Sequence, residues 1–281
     1  MFDQLDRCTS EIVERGYSVV KIPDPLLALF HRIAEQHSLI DDREKIKFSF
    51  PSLGDGFLPF GLEYAENNPD HPDLCDRFCY FRKYHETHAE SGFANHDFYK
   101  AVSEYEHEIS RFAPTILEAV CGRFDAQPPK APGTDSYIQI CSYSNRYREK
   151  SVDRQYLMDP HVDGQLLTFI AHTEQGLTIR QPNDEYSLVN FNDDELFVMA
   201  GELLEIASDG AIPGISHAVS SVGEGKSRLS VMYFLNPDFK APDFRTFGSG
   251  RSINFLEIAN IIHQRFGNPV YDTTSVIDGG K

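Results

Sequence analysis

Eight short apolar runs between residues 136 and 236, each closed by a polar turn, constrain this chain more than any other feature. They are SYIQICSYS (136–144), LLTFIAH (166–172), GLTIRQ (176–181), YSLVNF (186–191), ELFVMAG (195–201), LLEIAS (203–208), HAVSSV (217–222) and RLSVMYFLN (228–236). Turns such as PND, NDD, SDG and GEG separate them. Each run suits one strand, and regular short strands with polar turns predict a sandwich or barrel.

The first half has a different texture. Residues 3–16 predict a helix, GYSVVKIP (16–23) a strand, and Pro25 to Ile40 a second helix. The stretch 48–75 is rich in Gly, Pro, Asn and Asp and predicts loops with short strands. His96 to Phe124 predicts a long helix. Its stripe runs through Phe98, Val102, Tyr105, Ile109, Phe112, Ile116, Leu117 and Val120, and Pro114 is expected to kink it. AQPPKAPG (126–133) marks a break, and INFLEIANIIHQRF (253–266) predicts a closing helix. The expectation is a mainly β fold with flanking α. Residues 1–130 form a helical and mixed region packed on a core at 131–281, as one compact unit.

Composition supports a packed core and narrows the partners. Of 281 residues, 41% are apolar and 12% aromatic, which is enough to fold. The net charge of −17 repels phosphate backbones, so nucleic acid is not an expected partner. The N-terminus MFDQLDRCTSEIVERG has no apolar core of a signal peptide, and no run is long enough to span a membrane. The five cysteines, Cys8, Cys75, Cys79, Cys121 and Cys141, form no CxxC pair, so neither a zinc ribbon nor a thioredoxin-type site is indicated, and Cys75 and Cys79 are expected as two small buried residues. A cytoplasmic monomer or homodimer acting on a small molecule is the resulting expectation.

The chemistry concentrates at His161-Val162-Asp163. Residues two apart on an extended chain face the same way, so an imidazole and a carboxylate share one side. With a second histidine they make two nitrogens and one oxygen on one face of a metal. Three positions stay open, a geometry suited to non-haem Fe(II) and O2. A His-x-Asp tripeptide alone arises often by chance. Two other histidines lie in the β region, His172 and His217. His172-Thr173-Glu174 is itself a rival His-x-carboxylate. His31, His37, His96, His107 and His263 fall on predicted helices, in surface or packing roles. HETH (85–88) lacks the HExxH spacing and reads as a solvated loop. Eleven residues after His217 stands Arg228, with Ser230 on the same face of its strand. A guanidinium and a hydroxyl so placed can grip a carboxylate.

These motifs resemble the 2-oxoglutarate/Fe(II)-dependent dioxygenases of the isopenicillin N synthase-like group. HVDGQLLTFIAHTEQGLTIRQ is similar to that family's metal-binding strand and the hairpin after it. GELLEIASDGAIPGISHAVSS resembles the segment leading to its distal histidine, and RLSVMYFLNPD its Arg-x-Ser strand. GYSVVKIP and YIQICSYS resemble its first strand and the strand bearing a co-substrate tyrosine. The resemblance implies a double-stranded β-helix (jelly roll) with Fe(II) held by His161, Asp163 and His217. It implies that Arg228 and Ser230 hold the distal carboxylate of 2-oxoglutarate, and that Tyr143 hydrogen-bonds the co-substrate. Gly201-Glu202 replaces the family's frequent Gly-Asp, and Tyr143-Ser144 its frequent Tyr-Pro. The implied reaction uses O2 to oxidise an unactivated C–H bond, releasing succinate and CO2. Phe234, Gln165 and Leu167 are the expected substrate contacts, in a pocket also lined by the N-terminal loops 50–85. Arg77, Arg82, Arg146 and Arg148 are available to an anionic substrate, and each is otherwise a surface charge. Two other classes stay open: an Fe(II) oxidase that consumes no 2-oxoglutarate, and a non-catalytic jelly-roll binding protein.

Overall fold

A computed structural model describes residues 2–65, 67–144, 153–220, 227–241 and 243–271. The N-terminal part holds α1 (Phe2–Arg15), β1 (Tyr17–Lys21), α2 (Asp24–Leu39), α3 (Asp42–Lys47), β2 (Ser49–Phe50), β3 (Asp55–Leu58), β4 (Asp76–Phe81), α4 (His85–Glu90) and α5 (Asp97–Gly122). Then follow β5 (Tyr137–Tyr143), β6 (Tyr156–Val162), β7 (Leu167–His172), β8 (Leu177–Arg180), β9 (Tyr186–Leu188) and β10 (Glu195–Ala200). The chain continues through α6 (Glu202–Ala207), β11 (Ser216–Ser220), β12 (Arg228–Leu235), β13 (Phe244–Arg245), β14 (Ser252–Ile253) and α7 (Phe255–Arg265). Arg146 and Arg148 lie outside the described residues. Among those described, no helix is long and apolar enough to cross a membrane.

Two antiparallel sheets make the jelly roll. The larger runs in the order β1-β10-β7-β12-β5-β4-β3-β2, the smaller β6-β11-β8-β9. Four strands of the large sheet therefore come from the first half of the chain. β12 is buried along its whole length, on both faces. Its outward residue Tyr233 lies beside Phe169 of β7, which meets Phe112 of α5. α5 backs this face, with α1 and α2 packed on it in turn. Its predicted stripe is buried, Phe112 only in part, and the helix runs unbroken through Pro114. All five cysteines are buried and free.

Two local readings need correcting. LLEIAS is not a strand but helix α6. Gly201 caps it, Glu202 and Glu205 stand near its positive end, and Leu203, Leu204 and Ala207 are buried at helical spacing. HETH is no solvated loop either. His85 to Glu90 form α4, and His88 is 1% exposed. Its Nε2 pairs with the buried Asp55 carboxylate, whose other oxygen accepts the Phe81 N–H at 2.9 Å. That network fastens α4 to β3 and β4. The strand β4 itself (DRFCYF) went unpredicted, as it directly follows a loop-like stretch.

One buried histidine carries a pH prediction. His37 of α2 packs against Phe57 and Phe98, with ring centroids 6.3 and 5.7 Å away. Burial, aided by nearby Lys45 and opposed by Asp76, pushes its imidazole down to about 4. The folded protein thus resists a proton that the unfolded chain accepts near 6.5. His37 supports stability above about pH 6.5, and that support is lost as pH falls toward 4, by roughly 3 kcal/mol in all. Urea unfolding at pH 7.5 and 4.5 checks this. His37→Leu should lose correspondingly less stability than the natural chain between those two values.

Candidate metal centre and co-substrate pocket

The triad is assembled by strand register. His161 near the end of β6 and His217 near the start of β11 are direct cross-strand partners. Their rings stand side by side, with centroids 4.3 Å apart. Asp163 follows β6 and turns Oδ1 toward both, 3.5 Å from His161 Nε2 and 3.8 Å from His217 Nε2. All three residues are buried, and their ligand atoms lie within 4.8 Å of one another.

The surrounding groups fix which atoms face the centre. His161 Nδ1 is 2.8 Å from the Asp159 carbonyl, and His217 Nδ1 is 3.1 Å from that of Ile215. A carbonyl only accepts, so each Nδ1 donates and each Nε2 keeps a bare lone pair. Thr168 of β7 donates to Asp163 Oδ2 at 2.6 Å, leaving Oδ1 for the centre. The Glu202 N–H holds the Asp163 carbonyl at 2.7 Å. Gly201 lies so close behind that a Cβ would come within 2.2 Å of the Gln165 carbonyl oxygen and 2.7 Å of that of Asp163. Only glycine fits there.

Without an ion the three groups perturb one another. Burial pushes His217 down to about 4, with His161 adding to the effect against the pull of Asp163. Burial acts the same way on His161, but Asp163 outweighs it and raises that imidazole. For Asp163, burial is outweighed by the two histidines, and its carboxyl is lowered. Such a donor set suits a divalent cation, which replaces a proton as the partner of the carboxylate. Thr168→Val keeps the shape but frees Oδ2. It should weaken Fe(II) binding by about 10- to 100-fold, as loss of outer-shell bonds to metal ligands does. Equilibrium dialysis checks this.

The inward residues of β12 continue the site. Arg228, Ser230, Met232 and Phe234 alternate on one face, opposite Tyr143, Cys141, Gln139 and Tyr137 of β5. Arg228 is 1% exposed. Its Nε donates to the Glu174 carbonyl at 3.0 Å, a second nitrogen meets Ser230 Oγ, and its Cζ lies 5.4 Å over the Tyr143 ring. Among the described residues no carboxylate pairs with it, and burial lowers its proton affinity. A buried cation without a counter-charge is costly unless a ligand supplies one. Tyr143 is buried beneath it and points its hydroxyl at Met158 Sδ, 3.9 Å away.

The same strands match a known pattern. Residues 136–237 fit the 2OG-Fe(II) oxygenase superfamily model. Over those residues this chain is similar to that superfamily. A stretch of 103 residues is 33% identical to deacetoxycephalosporin C hydroxylase of Streptomyces clavuligerus, covering 32% of this chain and 32% of that protein. The whole fold superposes on a full-length Neurospora crassa protein crystallised in complex with alpha-KG and thymine. There the TM-score is 0.72 at 15% identity, over 94% of this chain and 90% of that one. A putative 2OG-Fe(II) oxygenase family protein from Caulobacter crescentus gives a TM-score of 0.71 at 18% identity, over 94% of each chain. At these identities the two structures share the fold with this chain.

The residues of this β core fit a triad-held metal and a carboxylate at Arg228 on observations made in this chain. Bare Nε2 atoms and a carboxylate oxygen converge, and a guanidinium with no carboxylate partner among the described residues lies on the adjoining face. The rival His172 is ruled out as a ligand by its surroundings. Its two ring nitrogens face the carbonyls of Glu174 and Phe191 at 2.7 and 3.0 Å, and its ring stacks on Phe191.

A narrow cavity of about 50 Å³ lies against the triad. Gln165 and Phe234 line it, as expected of substrate contacts; Leu167 does not, being fully buried on the opposite face of β7 from Thr168. Phe81, Tyr137 and Phe234 form one stacked row across β4, β5 and β12, with centroids 4.5 and 4.7 Å apart. α7 closes the other side, packing Phe266 on His161. The cavity shares Glu63, Tyr137, His263 and Asn268 with an outer chamber of about 610 Å³.

Several cavity residues escaped prediction. Arg77 is buried, not a surface charge, and is ion-paired with Glu63 and, at 2.5 Å, with Asp73. His263, expected in a packing or surface role, lines both chambers. Arg82 pairs with Glu106 away from the cavity. The N-terminal loops 50–85 are expected to line the pocket, and Glu63, Ala65, Asp73 and Arg77 of that stretch do line the cavity; nothing in the spacing singles out those residues.

Proposed function

We propose that this protein is a 2-oxoglutarate- and O2-dependent oxygenase that oxidises a C–H bond of a small molecule, with hydroxylation as the outcome. The observation that carries the reading is Arg228: a buried guanidinium beside Ser230, lacking a counter-ion among the described residues, on the strand that also lines the triad cavity. A non-catalytic binding protein has no use for that combination. The S. clavuligerus relative, a hydroxylase by name, supports hydroxylation.

In this reading His161, Asp163 and His217 hold Fe(II) on one face and leave its cavity side open. Arg228 and Ser230 hold the distal carboxylate of 2-oxoglutarate through charge-assisted bonds. Tyr143 supports the guanidinium from below with its ring. When bound, Fe(II) and 2-oxoglutarate supply the reduction of O2 that C–H oxidation requires, the co-substrate leaving as succinate and CO2. The protein's own part is placement and exclusion of water. The Asp159 and Ile215 carbonyls and Thr168 keep the three ligands from rotating. Phe234, Met232 and Phe266 wall the cavity with apolar surface.

Incubation with Fe(II), 2-oxoglutarate and O2 tests the proposal. The expected result is succinate formation that rises when substrate is added, with a product heavier by one oxygen atom. Substrate turnover with no dependence on 2-oxoglutarate would instead support an Fe(II) oxidase.

A further inference from the structure

The wall facing the triad carries an acid cluster that the reaction above does not use. Glu63 and Asp73 share one guanidinium, Arg77, so two carboxylates meet one cation. Arg154, the next cation nearby, is paired with Asp159 at 3.0 Å. With both carboxylates ionised, the cluster keeps one negative charge among the described residues. The metal half offers no compensation, because in the proposed complex an Fe(II) dication and Arg228 balance Asp163 and a dianionic co-substrate.

Two buried acceptors on this wall lack partners among the described residues. Asp73 is 8% exposed; Arg77 takes Oδ2, but Oδ1 has no hydrogen bond. His263 is 7% exposed, and its Nδ1 lies 3.0 Å from the Pro269 carbonyl. That contact places the proton on Nδ1, so Nε2 is a bare acceptor, and it too is unpartnered. Buried acceptors left empty are costly, and both residues line the cavity that holds the triad. Arg77 Nε lacks an acceptor as well, but its charge is already spent on two acids.

We infer that the substrate is a protonated amine whose N–H groups are received by Asp73 Oδ1 and His263 Nε2, with Glu63 completing the charge balance. Asp73 is then a specificity-determining residue: it fixes which carbon beside the nitrogen faces the metal. Burial otherwise pushes the Asp73 carboxyl up to about 7, a penalty that a cationic ligand relieves. The inference rests on the oxygenase reading above.

Calorimetric titration without oxygen tests it, using the protein loaded with Fe(II) and 2-oxoglutarate. The probes are free L-α-amino acids and simple alkylamines, each beside its N-acetyl derivative. At least one amine should bind ten-fold or more tightly than its acetylated partner, and Asp73→Asn should remove that preference. Equal binding of both forms, no binding in either series, or a preference that survives in Asp73→Asn and Glu63→Gln overturns the inference. The matched comparison on the natural chain decides the question even if a variant fails to fold. Failure of Fe(II) and 2-oxoglutarate to load would sink the oxygenase reading, and this inference with it. A loaded complex without amine preference sinks the inference alone.

Discussion

Asp163→Ala should give a folded protein that no longer retains Fe(II) and whose turnover falls by ~10³-fold or more, beyond the 10- to 100-fold typical of outer-shell losses. The carboxylate is the only charged member of the triad in the metal-bound form, and its Oδ1 faces both histidine Nε2 atoms. Removing it leaves two neutral imidazoles, which cannot offset the dehydration of a dication. His217→Ala should act the same way. His172→Asn is the informative contrast, because both His172 nitrogens are engaged by backbone carbonyls. It should keep full Fe(II) stoichiometry. Anaerobic metal analysis after gel filtration, with circular dichroism to verify folding, reads all three variants.

Arg228→Met should separate the metal from the co-substrate. Fe(II) binding should persist while the Kd for 2-oxoglutarate rises. Truncating one partner of a buried hydrogen-bonded charge pair costs about 2–5 kcal/mol, or roughly 30- to several-thousand-fold in affinity. The same substitution should stabilise the ligand-free protein by about 1–4 kcal/mol, because methionine replaces a buried cation that has no counter-charge among the described residues. Opposite signs in the two assays would be hard to obtain from general damage. Thermal unfolding with and without 2-oxoglutarate measures both, since a ligand bound only by the folded state raises its apparent stability.

The elements that carry the site were legible to different degrees, for physical reasons. His161 and Asp163 share a face because of strand period alone, which the sequence displays. Their pairing with His217 depends on β6–β11 register, a contact between segments 56 residues apart that no local pattern encodes. The Arg228-x-Ser230 strand made His217 the better choice over His172, and the structure adds the reason. His172 shares its register row with Ser230 but turns its nitrogens to the backbone.

The misreadings have causes too. LLEIAS is apolar enough for a strand, yet Leu203, Leu204 and Ala207 recur at helical spacing behind Gly201, a signal present in the sequence. The Glu63–Arg77–Asp73 cluster left no such signal. Its members sit in or beside a Gly- and Pro-rich segment, and only the fold of that segment against β5 brings them to the cavity. His88 was hidden similarly, since its partner Asp55 lies 33 residues away.

The most direct test of the central claim is an anaerobic titration of the Fe(II)-loaded protein with 2-oxoglutarate, followed by visible absorption. The expected result is a weak charge-transfer band that saturates at one co-substrate per chain, is absent in Asp163→Ala, and needs far more 2-oxoglutarate in Arg228→Met. A band of unchanged strength and affinity in both variants would contradict it.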